Sequence, residues 1–318
     1  MLGDYKFFTR KLKHWGGKEI VVLGLRVRLI TAFDAVFKVN YQVLQQTKIE
    51  NPSKSRENRV MKVVTYWESA PGLKVPTYIP LCIASMKIAF GDSFLLLTNR
   101  NIEHYLGLLD LKKVWKFEGF DNQLISPVAS IVAKSDWLRM AYIHLYGGFW
   151  LDADTLALEN FLTSLEISKA DSRLFWHSEQ FFGANKGNFL LGSAQDNLLQ
   201  DKPQTWGNPG GIKDLIFSNP AMISPIPINF VDPGYNPAYC AGNWDVMFDK
   251  TVSSETFLIN PEIKIIKFYN SNWRQFDNSY EPIEEFLRSG SLMSKLFLRL
   301  NPSNEFWQEQ AQRVLDAF

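Results

Sequence analysis

Asp152 and Asp154 stand one residue apart at the end of a short apolar run, Phe149, Trp150 and Leu151. Along an extended strand, side chains i and i+2 point to one face, so both carboxylates can approach a single hard cation. Mg²⁺ and Mn²⁺ prefer oxygen ligands and commonly take one or two carboxylates, leaving other positions for water and substrate phosphate. Alone the pair is a weak sign, because a chain of this length contains about one Asp-x-Asp by chance. Its company adds weight: Ser135, Asp136 and Arg139 precede it, then Tyr146, Gly147 and Gly148, so acidic, basic and chain-opening residues fall in one short stretch.

A helix, a tight reversal and a strand must bring these groups together. Residues 126–146 read as a long helix with Ser126 as N-cap, Pro127 at the first helical position and Gly147 as the stop. Asp136 and Arg139 share a face of it, and Ala129, Val132, Ala133, Ala141 and Leu145 are placed to lie against a sheet. The two glycines then turn the chain into a strand over 149–154. Upstream, 61–67 has strand character, 77–91 reads as a helix with Pro80 in its first turn and Gly91 past its end, 93–98 as an apolar strand and 101–109 as a helix. That alternation points to a βαβ unit and a mostly parallel sheet, whose carboxyl edge is the usual ligand site of open α/β proteins. Further strands are expected at 173–178 and 263–273, with a Gly/Pro/Asn-rich stretch at 205–215. From about residue 282 a helical tail carries Phe286, Leu287, Leu292, Leu296, Phe297 and Leu300, which either close the domain or form a stripe facing a membrane or a partner.

The bulk composition limits what such a site serves. With 318 residues and 46% hydrophobic content the chain can bury a large core. Its 34 basic and 33 acidic residues leave a formal charge of +1, which argues against a protein that coats nucleic acid. The charge is uneven: residues 1–62 hold 13 Lys/Arg against 5 Asp/Glu. Residues 1–60 therefore read as a basic helical extension ending in a polar linker, with Phe33, Val36, Phe37 and Leu44 at near-helical spacing. Such a segment either packs on the main domain or rests on anionic lipid. Arg26, Arg28, Asp34 and Lys38 interrupt its apolar stretch too often for a bilayer span, and no signal-peptide pattern opens the chain. Two cysteines, Cys82 and Cys240, have no metal-ligand spacing, which fits a reducing cytoplasm.

The segment "SDWLRMAYIHLYGGFWLDAD" resembles the DxD-containing glycosyltransferases of the capsular polysaccharide synthesis protein family, related to the initiating α-mannosyltransferase-like and clostridial-glucosylating-toxin-like enzymes. The shared pattern runs Ser-Asp, two residues, Arg, then Tyr-Gly-Gly, three residues, Asp-x-Asp, and every position is matched. "VVTYWESAPGLKVPTYIPLCIASMK" looks like the group's opening strand and helix and "FYNSNW" like its closing motif, so the likeness covers about 61–275.

The resemblance implies a GT-A-type, Rossmann-like nucleotide-sugar-binding domain over 61–318. It also implies transfer of a hexosyl or N-acetylhexosaminyl group, with retention of configuration, from a nucleotide-diphosphate donor, a UDP-sugar above all. The acceptor would be a glycan or a polyprenyl-diphosphate-linked oligosaccharide in bacterial capsule or surface polysaccharide synthesis, at the inner face of the cell membrane. Asp154, with Asp152, would hold Mn²⁺ or Mg²⁺ against the diphosphate; Asp136 and Arg139 would bind the donor sugar, with Ser135 beside them; Trp67 would stack on the base; Ser271 and Trp273 would close over the phosphates. Where related sequences carry a histidine before the closing motif, this chain has Lys267 or Phe268. Lys267 is then either a phosphate-binding cation or a solvated strand residue. One of Tyr66 and Trp67 is expected in the core, His144 as a packed or surface residue, and Glu179 as an acceptor-side contact or an exposed loop acid. Two other readings use the same residues: a metal-dependent nucleotidyltransferase, and a non-catalytic nucleotide-sugar-binding protein of the same fold.

Overall fold

The computed structural model describes residues 61–106, 127–200, 212–232, 244–270 and 277–318, apart from Ala70, Pro71, Glu166, Lys169, Ala170 and Ile259. The basic extension, Ser126, the glycine-rich turn at 207–211, Cys240, Ser271 and Trp273 lie outside the described residues.

Three short apolar strands form the parallel heart of the main sheet: β1 (Val63–Tyr66), β2 (Phe94–Leu97) and β3 (Gly148–Leu151). β1 lies between the other two, with Val63 opposite both Phe94 and Phe149. The helix α1 (Tyr78–Phe90) links β1 to β2, as the alternating pattern predicts. Beyond β3 the sheet turns antiparallel through β6 (Phe181–Ala184) and β5 (Leu174–Ser178), then ends on β7 (Ile223–Pro225), parallel to β5. The α/β class holds, with a sheet that is parallel at one end and mixed at the other.

Alternation along the strands divides the core. Val64, Tyr66, Trp150 and Phe182 face the long helix α3 (Pro127–Tyr146) and meet Trp137, Leu138 and Ala141; α2 (Ile102–Leu106) packs on the same helix. Val63, Phe149, Leu151 and Phe181 face the opposite way onto Met86, Phe90 and Phe161. Val132 departs from expectation and is 54% exposed. It precedes Ala141 by nine residues, which at about 100° each places it on the far side of the helix.

Between α3 and β3 the chain reverses at Gly147 and Gly148, both at positive φ (75° and 124°). A Cβ on Gly148 would stand 2.5 Å from the Lys62 carbonyl oxygen, so glycine is required sterically as well as conformationally. β3 stops at Leu151, earlier than expected. The chain turns through Ala153 and Asp154 and resumes as β4 (Thr155–Ala157) in a second sheet, antiparallel to β9 (Ile265–Lys267), which also pairs with β8 (Val231–Asp232). The aspartates therefore occupy the crossing between two sheets rather than one strand face. β9 is shorter than the expected 263–273 strand because Tyr269 takes a positive φ of 38° and bends the chain away.

The C-terminal helices α4 (Ile283–Arg288), α5 (Leu292–Leu300) and α6 (Asn304–Ala317) close the domain. Phe286, Leu287, Leu292, Leu296 and Phe297 are buried against α1 and the second sheet together with Trp307, while Leu300 is exposed. The stripe is thus spent on the core. Ser291 and Ser303 cap α5 and α6 by accepting from the Ser294 and Phe306 amides, bonds typically worth about 1 kcal/mol each. With a sheet on one side and this cluster on the other, α1 is apolar almost all round. Among the described residues no helix is long and apolar enough to cross a membrane.

Candidate functional site

β1 and β3 are parallel neighbours, so Trp67 and Asp152, each the residue after its strand, lie at the same carboxyl edge. α3 brings Asp136 and Arg139 to that edge from one side, and β9 brings Lys267 from the other. Five charged side chains meet there. Asp136, Arg139, Asp154 and Lys267 are all buried, and Asp152 is nearly so.

Arg139 stands at the centre. Its Nη2 donates to Asp136 Oδ1, one helical turn back, and its Nη1 donates to the Glu179 carbonyl oxygen at 2.6 Å and lies 3.5 Å from Asp152 Oδ1. Its Nε reaches the Ser135 carbonyl at 3.5 Å, and the guanidinium sits over the Trp150 ring, 5.8 Å from its centroid. Trp150 is two residues before Asp152 and donates its indole N–H to Asp152 Oδ1 at 2.9 Å. Thus the Ser-Asp-x-x-Arg and Asp-x-Asp motifs, separate in the sequence, are joined through the Arg139–Asp152 ion pair.

Lys267 is 4% exposed, which overturns its reading as a solvated strand residue. The pairing of β4 with β9 sets Thr155 opposite Lys267. From there Nζ lies 3.0 Å from Asp152 Oδ2 and donates to Asp154 Oδ1. The bend at Tyr269 turns the Asn270 amide onto Asp154 Oδ2 at 2.6 Å, and Tyr78 steadies the Asn270 side chain at 2.5 Å. All four oxygens of the aspartate pair accept from the chain itself.

The electrostatics follow from this packing. Burial lifts the Asp136 carboxyl to about 6, assisted by Asp152 and Glu179 and only partly offset by Arg139. Burial also pushes Asp152 up, but Lys267 and Arg139 outweigh it and hold that carboxyl below its usual range. The same carboxylates overcome the cost of burying Lys267 and keep its ammonium above the ordinary lysine value. With most of these side chains buried, their attractions are screened less than those of pairs on the surface.

These residues do not fit a divalent ion as they stand. Every carboxylate oxygen of the pair is already engaged, and the Lys267 ammonium bonds both aspartates at once. Among the described residues no third His, Cys, Asp or Glu forms a metal-holding group with them.

A second network lies beside the first. Tyr66 is the core aromatic of its pair, buried with its hydroxyl on Glu68 Oε2 and Asn99 Oδ1, and Lys134 reaches Glu68 at 2.7 Å and Asn99 at 2.6 Å. Burial raises the Glu68 carboxyl, but bonds from Lys134, Tyr66 and Asn99 bring it below its usual range. Trp67 is half-buried, donates its indole N–H to Ser69 Oγ at 3.1 Å and packs 6.3 Å from the Phe318 ring. Glu179 pairs with Lys213 at 2.6 Å, and His144 is packed with its Nδ1 2.8 Å from the Asn188 carbonyl. Sequence reasoning missed Trp150, Asn270 and the Lys134–Glu68–Asn99 group. Only Trp150 left a readable sign, its i−2 spacing from Asp152.

Comparison with known proteins adds two findings. The family described as capsular polysaccharide synthesis protein matches residues 31–191, just over half of the chain. The apo-form glycosyltransferase GlyE of Streptococcus pneumoniae TIGR4 is similar in structure at 9% identity with a TM-score of 0.41, and a second GlyE structure at 10% identity with a TM-score of 0.39. Each likeness covers 81% of this chain, which spans 64% and 63% of those chains. No curated protein matches the chain.

Proposed function

This chain belongs to the capsular polysaccharide synthesis protein family, and we propose that it is a glycosyltransferase moving a sugar from a nucleoside-diphosphate donor, a UDP-sugar in the first instance, to a glycan acceptor. The observation that carries this reading is Arg139, which links Asp136 of the helix motif to Asp152 of the Asp-x-Asp motif inside one largely buried cluster at the carboxyl edge of the parallel strands.

In that role Arg139 and Asp136 hold the donor sugar, and Trp67, at the end of β1, offers a half-exposed ring to the base. Trp273 and Ser271 are proposed to close over the phosphates. The bond from the anomeric carbon to the diphosphate breaks with its electron pair going to the departing oxygen. The acceptor oxygen bonds the same carbon, and its proton passes to the departing diphosphate. Positive groups near that leaving group stabilise the charge as it develops. Retention of configuration is supported by the state of the carboxylates: Asp136, Asp152 and Asp154 are each bonded to Arg139 or Lys267, so none stands ready as a separate base. For the acceptor we propose a polyprenyl-diphosphate-linked oligosaccharide at the inner membrane face. The 13 Lys/Arg against 5 Asp/Glu in residues 1–62 suit an anionic surface, at about 1 kcal/mol per basic residue close to it.

The test is release of nucleoside diphosphate from a panel of UDP-, GDP- and dTDP-sugars, wild type against Asp154→Asn. Hydrolysis of one donor that fades in the variant supports the reading and names the sugar. Intact donors together with no binding of any nucleoside diphosphate rule it out.

A further inference from the structure

The aspartate pair already holds a cation, and that cation belongs to the chain. Lys267 Nζ bonds Asp152 Oδ2 at 3.0 Å and Asp154 Oδ1, while Arg139 Nη1 lies 3.5 Å from Asp152 Oδ1. The Lys267 ammonium brings a full positive charge between the two carboxylates, and the Arg139 guanidinium, shared with Asp136, adds to it on the Asp152 side, so much of the charge a divalent ion would supply is already present. The remaining bonds, from the Trp150 indole at 2.9 Å and the Asn270 amide at 2.6 Å, complete the set. An entering divalent ion would have to displace a donor from every oxygen it took, and would sit a few ångströms from a like charge. Lys267 is also held from behind. Its backbone belongs to β9, which is paired on both sides, with β4 and with β8.

We propose that Lys267 takes the place of a divalent ion. Asp152 and Asp154 serve to position its ammonium, and sugar transfer proceeds without a bound metal. An ammonium carries three N–H donors; among the described residues Asp152 and Asp154 take two, which leaves the third for an oxygen of the departing diphosphate. The substrate half of this proposal rests on the glycosyltransferase reading; the exclusion of metal does not.

Electron paramagnetic resonance of Mn²⁺ titrated with the purified full-length protein, alone and with UDP, reads that exclusion directly, because bound Mn²⁺ loses the sharp signal of the free ion. Because UDP itself binds Mn²⁺ through its diphosphate, the wild type is expected to leave the free-ion signal where buffer alone, or UDP alone in the second condition, leaves it, and Lys267→Ala, which empties the place between the aspartates, to take up one further Mn²⁺ per chain. Uptake of one Mn²⁺ per chain by the wild type, beyond what buffer or UDP alone removes, overturns the proposal whether or not the variant folds. A folded Lys267→Ala protein that takes up none also overturns it, since something other than the lysine would then keep the ion out. Donor hydrolysis provides the second readout. Treatment with EDTA should leave the wild-type rate unchanged, whereas Lys267→Ala should be slower by about 100-fold or more. A rate that collapses on chelation and returns with Mn²⁺ sinks the idea. If no nucleotide sugar is hydrolysed and no UDP binds under any condition, the transferase reading fails, and the Mn²⁺ titration still decides whether Lys267 excludes the ion.

Discussion

The C-terminal cluster around Trp307 and the charged cluster around Arg139 are both buried, yet they are built on opposite principles. In the first, Phe286, Leu296, Phe297 and Trp307 meet apolar neighbours, and apolar side chains of similar volume would largely serve, the one polar handle being the Trp307 indole N–H on the Asn301 carbonyl. In the second, each group is tolerable only because a particular partner neutralises it: Asp136 needs Arg139, Asp154 needs Lys267, and Asp152 needs both. Burying charges in this way is a costly route to stability. Among the described residues the fold accepts that cost where the two motifs meet and nowhere comparable in its C-terminal helices, and the proposed chemistry is placed accordingly.

The contrast can be broken most decisively at Arg139. Arg139→Met strands Asp136 and Asp152 without their guanidinium, and is expected to lower stability by about 3–5 kcal/mol and nucleotide release by about 10²–10³-fold. Chemical denaturation and the release assay check the two losses, and a stable, active variant would dissolve the distinction. Trp307→Ala removes a fully buried ring and its bond to the Asn301 carbonyl at 2.9 Å. A similar loss of about 3–5 kcal/mol is expected, but with the rate per folded molecule unchanged. Gly148→Ala strikes between the regions, at the turn that aims β3 toward Asp152. Its positive φ and the Lys62 carbonyl predict a loss of about 1–3 kcal/mol, read as a lower melting temperature.

The smallest effect is a matter of pH. The folded Glu68 carboxyl lies below its usual range, so its stabilising contribution is complete above the unfolded value of about 4.3 and is lost as pH falls through the folded value. Denaturation curves between pH 6 and pH 3 should therefore show the wild type losing slightly more stability than Glu68→Gln, by less than about 1 kcal/mol. An equal acid slope would mean that the Lys134–Glu68 pair is neutral in energy.

Much of this arrangement was legible in the amino-acid order because its causes are local. Pro80 and Gly91 bound α1, Pro127 and Gly147 bound α3, and the two glycines announce the reversal before β3. Helical spacing put Asp136 and Arg139 on one face, and the tail's apolar spacing marked a stripe, though not what would cover it. What the order of residues left open depended on contacts across long separations. Whether Tyr66 or Trp67 entered the core was decided by Glu68, Asn99 and Lys134 closing over the hydroxyl. That the aspartates lie past the strand follows from the second sheet drawing β4 away. Lys267 lies 113 residues from Asp154, and only the register of β4 with β9 carries its ammonium to the pair. Caps and periodicity act over a few residues and can be read from them; the partner of a buried charge is chosen by the packing of whole sheets.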